Sequence, residues 1–519
     1  MARRGQTATE YLIILGVVIV LALVVVFVLG GFPSFGPRSE RHASQIYWSS
    51  TDIAVDDLVM DASGGFVFLR NNRPDMVTIT DITVDGQSLD IEEKILDIGA
   101  EKKFESSAIS CSTPGESLSN ELTITYTEES TGATRVLTGK QPYIGTCAED
   151  ISRIHDWLML DFDMQNSGVS PAGGPLTNES MEIYDVAPGA IETQVLVEGN
   201  RIYAATFGGM TAYDLTTGEL WSDDDGGWTV PIITGSVICY AGVNLYCRDK
   251  LTGRGYWEAE PPTGEWFDFT QISLVDGHLW LGQTDLPTVN VYNVTDGTLL
   301  YQENLTGSYT PGTASDGDSV YVNVLGATTS YDVIAYDATD FTKEWQVDFD
   351  DLESGDNNCI AEGAPLIHED TLYVALSDCD SKKRPLVALD KDTGALKWLA
   401  NQTESVDIYP SFVSPVIWEG VVLVTSYNLP AVFGYNASSG ERLWRTNLSS
   451  NSWAANPVVG GGVAYVASTD GVMHALNVSD GSIIWKATLP DSGGTWTSAS
   501  LARGKLYVGS ESGKVYVFS

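Results

Sequence analysis

The sequence predicts a mainly β chain: an amino-terminal apolar helix, a small β-sandwich and then an eight-bladed β-propeller. Three observations carry this. Leu12–Leu29 is an uncharged run made mostly of Leu, Ile and Val. Between Tyr47 and Cys147, short alternating polar and apolar runs are separated by polar turns, the pattern of strands with one buried face. From Ile202 onward one strand-turn-strand pattern recurs eight times, and such a period decides the architecture before single residues are read.

The first element covers residues 6–31. At 1.5 Å per residue its apolar run is roughly 27 Å long, enough for a bilayer core with its flanking glycines. Arg3 and Arg4 hold its start in the cytoplasm, which places the chain after Gly31 outside. Gly30, Gly31, Pro33, Gly36 and Pro37 end the helix. The stretch Arg3-Arg4-Gly5-Gln6-Thr7-Ala8-Thr9-Glu10-Tyr11 resembles the class III signal peptide of archaeal type IV pilins. The resemblance implies that residues 1–5 are a leader and that a prepilin peptidase cuts between Gly5 and Gln6. It also implies that Glu10, then the fifth mature residue, pairs with the amino terminus of a neighbouring pilin subunit. A carboxylate at the edge of an apolar helix needs such a partner. The alternative is a plain membrane anchor with Glu10 at the headgroups.

The sandwich is expected over residues 45–147. Gly65–Leu69, Met76–Val84, Glu121–Tyr126 and Thr134–Leu137 read as strands, and Asp85-Gly86 as a hairpin turn. Their order resembles the β-sheet head that follows the helix in archaeal pilins and archaellins. Asp56 and Asp57 read as solvated turn charges. Residues 148–180 read as a connector, with the Gly-, Ser- and Pro-rich stretch Ser167–Asn178 as a linker.

The propeller is expected over residues 181–519. An apolar triplet such as Leu372-Tyr373-Val374 or Ala464-Tyr465-Val466 marks each unit, at steps of 34 to 52 residues. Ala464–Ala467 and Met473–Asn477 alternate as half-buried strands would. A glycine three or four residues ahead of a tryptophan recurs at Trp221, Trp257, Trp398, Trp444 and Trp485, with Phe341 to Trp345 as a variant and Tyr301 in place of one Trp. The recurrence predicts wedges between neighbouring units. Met181–Asp185, with Tyr184 at the Trp position, is expected to complete the last blade and close the ring. Ala475-Leu476-Asn477, Asp480-Gly481 and Trp485, and their counterparts from Ala388 to Trp398, resemble the PQQ-like repeat. That family includes quinoprotein dehydrogenases and an outer-membrane assembly lipoprotein sharing their propeller.

Six cysteines fall as three neighbouring pairs, Cys111 and Cys147, Cys239 and Cys247, Cys359 and Cys379, with no C-x-x-C. This favours structural disulfides in an oxidising compartment. Asn178, Asn293, Asn304, Asn401, Asn436, Asn447 and Asn477 are glycosylation candidates. The formal net charge of -41 leaves little to neutralise phosphates and excludes a nucleic-acid partner.

The chemistry of a quinoprotein is expected to be absent. The resemblance would require adjacent cysteines, a calcium cage and a Lys or Arg on the quinone oxygens. No cysteines are adjacent, and no Lys or Arg lies between Tyr256 and Asp340. The five histidines have no ligand spacing, and His474 reads as a core or channel residue. Asp223-Asp224-Asp225-Gly226 and the acids of Asp348–Glu353 are calcium candidates that fit no EF-hand spacing, so no metal ligand is assigned. Trp257 and Trp266-Phe267 could line a sugar or peptide site, with core packing the simpler reading.

The expected protein is therefore a non-enzymatic, pilin-like subunit at the cell surface, held in the membrane or in a filament. Its propeller would serve adhesion or bind an extracellular partner, without a cofactor. A non-polymerising envelope scaffold and a quinone-dependent extracellular oxidoreductase are the alternatives.

Overall fold

The computed structural model describes residues 44–519 apart from short internal stretches, the longest being 148–155, 306–311, 325–332, 350–360, 378–384 and 401–412. Gly5, Gln6, Glu10, the helix at 6–31, Cys359, Cys379, Asn401 and Trp266 lie outside the described residues. Among the described residues no helix is long and apolar enough to cross a membrane. The chain divides into two compact units, Met1–Ile151 and Ser152–Ser519.

Among its described residues the first unit holds three antiparallel sheets. One has the order Ile53–Met60, Gly65–Asn71, Glu101–Ser106. The second runs Gln87–Ser88, Val77–Val84, Leu122–Glu128, Thr134–Thr138, with Lys94–Leu96 also on Val77–Val84. The third pairs Tyr143–Thr146 with Ser117–Asn120. Leu122–Glu128 buries every second residue, as its alternation predicts. The inward set, including Ile53, Val67, Ile79, Phe104 and Ile124, meets Trp48 in one core. A disulfide joins Cys111 to Cys147.

The second unit is propeller-like, with eight four-stranded antiparallel sheets, or blades, among the described residues. The first is Leu196–Glu198, Arg201–Thr206, Gly209–Asp214 and Gly218–Asp223, from inner to outer edge. Six more follow in chain order, and the seventh ends at Ile483–Thr488. The eighth takes Ser500–Ala502, Lys505–Gly509 and Lys514–Phe518, with Met181–Asp185 as its outer strand. Ser500–Ala502 also lies beside Leu196–Glu198, so the last blade meets the first.

The alternation expected at Ala464–Ala467 is not the pattern found. Val463–Ser468 is buried at every position and Val472–Asn477 at all but its ends. Each blade is covered on both faces by its neighbours, so inner strands have no solvent side. Alternation survives in outer strands such as Arg442–Asn447.

The outer-strand tryptophans follow one geometry. The residue before each is a β-bulge: Leu220, Tyr256, Glu344, Lys397, Leu443 and Ile484 fall out of register just ahead of Trp221, Trp257, Trp345, Trp398, Trp444 and Trp485. A bulge re-aims the next side chain, and here it turns each indole towards the following blade. Trp221, Trp257, Trp345, Trp398 and Trp444 donate Nε1–H to the carbonyls of Lys250, Val294, Lys391, Ala437 and Val478, at 2.9 to 3.0 Å. Trp485 reaches Pro175 O instead, at 3.0 Å.

Two kinds of small residue make room. Ala212, Cys247, Ala335, Ala388, Gly434 and Ala475 stand opposite the indoles across the ladder. A glycine of the next blade's turn lies against the ring: a Cβ on Gly440 would sit 2.4 Å from Trp398, at a φ of +69°. Tyr301 breaks the rule consistently. It faces the larger Val291, and Phe341 occupies the glycine position at φ 63°, its ring 5.7 Å from that of Tyr301. Tyr184, on the unbulged closing strand, packs edge-to-face on Tyr213.

Candidate functional site

Residues 156–170, read from sequence as part of a connector, run through the bore of the propeller. Inner strands present unpaired N–H and C=O groups to that bore, and the segment satisfies them in turn. Trp157 exchanges backbone hydrogen bonds with Val197 of the first blade, both 2.8 Å. Leu158 O accepts from Ile233 N, Met164 O from Ser315 N, Gln165 O from Ile367 N and Gly168 O from Val459 N, at 2.8 to 2.9 Å. The Asn166 amide donates to Thr313 O and Pro365 O. Met159, Met164 and Val169 pack into three different inter-blade cores. Small residues make the segment's end, from Ser167 onward, resemble a linker. Its anchoring is by backbone hydrogen bonds, which leave no trace in side-chain pattern.

The segment enters from the face of the short turns. Asp156 accepts from Gly199 N and pairs with Arg503 at 2.7 Å, both residues lying in turns between inner and second strands. The strand ends from which the long connections leave, those around 260–272, 305–312, 324–332, 348–365, 376–385 and 400–415, all lie on the opposite face.

At the apex sits Asp161, with none of its surface exposed. Its N–H donates to Gln194 Oε1 at 3.0 Å, and its Oδ2 accepts from Asn456 Nδ2 at 2.7 Å. Among the described residues its Oδ1 has no hydrogen-bond partner. Burial pushes the carboxyl up to about 7, with Asn456 and Ser414 pulling the other way and Asp163 adding a like charge. Around it runs a polar belt, two residues ahead of the inner strands: Ala364 N donates to Ser414 Oγ, Ser414 N to Asn456 Oδ1, and Asn456 N to Ser498 Oγ. Sequence reading missed this belt. The signal was a buried polar residue at one repeat position in several units, visible only once the units are aligned on their inner strands.

The nominated groups are placed as follows. Asp223 and Asp225 both pair with Arg248, at 2.9 and 2.6 Å, and Tyr240 donates its hydroxyl to Asp223. Arg248 thus engages two of the three carboxylates of that calcium candidate. His474 is fully buried, and Ser449 N donates to its Nε2 at 3.2 Å. Ser449 Oγ lies 3.0 Å from Asp470, but among the described residues no carboxylate is hydrogen-bonded to His474 Nδ1, so the three do not form an acid-base relay. Phe267 is fully buried.

Cys239 and Cys247 face each other across one hairpin and are joined. Asn293, Asn436 and Asn477 end third strands, where their Oδ1 atoms accept from the backbone N–H two residues on, as Asp214 and Asp337 do. These three sequons coincide with the Asx-turn chemistry of the repeat. Asn178 donates to Lys486 O, and Asn304 and Asn447 end outer strands, exposed.

Three stretches, residues 173–259, 287–426 and 410–519, match the family model described as outer membrane protein assembly factor BamB. The chain belongs to the BamB family. BamB of Yersinia pestis is 29% identical over 142 residues, 26% of this chain and 36% of that protein. The match therefore spans about a third of that relative's length. Quinohemoprotein alcohol dehydrogenase from Comamonas testosteroni superposes with a TM-score of 0.59 at 12% identity, covering 70% of this chain and 80% of that one. A europium-containing methanol dehydrogenase gives 0.54 at 14% identity, covering 70% and 98%. At these identities the likeness is one of fold.

A quinone with its metal would need a cage of carboxylates and amides, a cation on the quinone oxygens and an aromatic floor. Among the described residues the bore does not fit it. Chain segment 156–170 lies across the lumen, the charge influencing Asp161 is another carboxylate, and Arg503 is engaged by Asp156.

Proposed function

We propose that this chain is a non-catalytic binding scaffold of the cell envelope, displayed outside the membrane, whose long-connection face receives a macromolecular partner. One observation carries the reading: the bore is filled by the chain's own backbone from the short-turn side, which leaves the opposite face as the variable surface. Loops on a rigid ring are where recognition residues gather. We further propose that residues 6–31 form a pilin-like anchor, processed by a prepilin peptidase between Gly5 and Gln6, with Glu10 engaging neighbouring pilin subunits. Adhesion is the role this combination fits. Calcium and glycan would be accessories; Asn304 and Asn447 are the glycan sites favoured by exposure.

The test uses residues 32–519 and cell-envelope fractions. Shortening the connections at 348–365 or 400–415 should abolish binding, and changes of equal size on the short-turn face should not. Binding indifferent to the connections would overturn the scaffold reading. The anchor is tested by mass spectrometry of the mature protein: a start at Gln6 is expected, and a start beyond Gly31 would remove it. A second reading, quinone-dependent oxidoreductase, draws on the fold shared with two dehydrogenases. Dye-linked turnover after reconstitution with pyrroloquinoline quinone and calcium would favour it.

A further inference from the structure

The closed bore is held by a strained, charge-sensitive apex. Asp161 and Phe162 both have left-handed backbones, at φ 47° and 82°. Such backbones persist only where the surroundings over-determine them. Asp161 also places a carboxyl in a fully buried position with one oxygen unpartnered among the described residues. The groups facing it are Gln194 from the first blade, Ser414 from the sixth and Asn456 from the seventh, none of which titrates. From its own segment the titratable neighbour is Asp163, a second acid held by Ser167. Asp156 and Arg503, at the segment's entry, are engaged with each other. A proton is therefore the charge compensation the site accommodates.

We propose that segment 156–170 is a proton-controlled plug: protonated Asp161 keeps it seated in the bore, and ionised Asp161 releases it. An uncompensated buried carboxylate is strongly unfavourable, whereas in the open state the same group is solvated. The sign follows from linkage. The seated form holds its proton up to about pH 7, and the released form loses it in the ordinary carboxylate range. The opening constant thus rises about tenfold per pH unit between those limits and levels off above the upper one.

Five backbone amides report the event. Val197, Ile233, Ser315, Ile367 and Val459 donate to carbonyls of the segment. Hydrogen exchange of the full chain, corrected for intrinsic rates, should show their protection falling about 100-fold from pH 5 to pH 7, while amides within the blade ladders hold steady. Asp161→Asn should flatten this dependence, and Asp163→Asn should preserve it. Asn456→Ser, which removes the donor to the ionised form, should move the levelling-off to higher pH. Protection independent of pH in the natural chain would overturn the proposal. So would the same dependence in Asp161→Asn, or a loss of protection shared by whole blades.

Discussion

At the residue scale, two buried side chains, His474 and Asp161, make opposite demands on pH. His474 is pushed down to about 4, first by burial and then by the nearby Lys486. The folded chain therefore binds fewer protons than the unfolded chain between about pH 6.5 and 4. Stability from this group is complete above that window and is lost as pH falls through it. Thermal unfolding across pH 4–7 should show the natural chain losing more than His474→Gln; parallel curves would remove the assignment. A second residue-scale effect is steric. A Cβ on Gly434 would lie 2.3 Å from Trp444. Gly434→Ala should cost about 1–3 kcal/mol in chemical denaturation, as overpacking does, and Trp444→Phe in the same chain should recover part of it. Nothing in the residues beside it explains Gly434; its reason is an indole ten positions on.

At the element scale, the wedge was legible and its mechanism was not. Spacing showed that Trp221, Trp398, Trp444 and Trp485 recur, but nothing in a glycine set ahead of a tryptophan announces a bulge. The bulge explains why Leu220, Tyr256, Leu443 and Ile484, immediately before their tryptophans, remain exposed apolar residues. Tyr301, Val291 and Phe341 make a compensated set, and that predicts non-additivity. Tyr301→Trp alone should destabilise by overpacking against Val291 and Phe341. Val291→Ala and Phe341→Gly alone should open cavities, each at a cost of order 1–4 kcal/mol. The triple substitution rebuilds the pattern of the other blades and should unfold close to the natural midpoint. A triple whose cost equals the sum of the singles would refute the compensation. Half-burial of the inner strands was misread for a related reason. Alternation reports one covered face, and only tertiary context reveals that a blade has two.

At the scale of the whole molecule, repeat count, ring and closing strand were legible because each unit repeats its own signals and because Met181–Asp185 supplies the strand that the eighth unit lacks. The filling of the bore was illegible because residues 156–170 are not a repeat and are held through main-chain atoms. Charge also acts at this scale. A formal net charge of -41 destabilises a compact state by self-repulsion, and salt screens it. The melting temperature should therefore rise with sodium chloride from low ionic strength to about the physiological value; a flat response would mean that local ion pairs such as Lys250–Glu198, at 2.5 Å, already neutralise the field where it matters.

The route of the chain also gives the ring a mechanical polarity. Tension applied ahead of Asp156 does not load a sheet first. It acts on the Asp156–Arg503 pair, then on Trp157 and Leu158, then on Met164, Gln165 and Gly168 in turn. These attachments yield one after another, as a zipper does, whereas the closing strand's ladder from Met181 to Asp185 must yield together, in shear. Force reaching that ladder has first to pass Pro175, to which Trp485 and Tyr465 both donate. A protein tethered from its amino-terminal side and gripped by its loops would lengthen by paying out the bore segment before any blade opened.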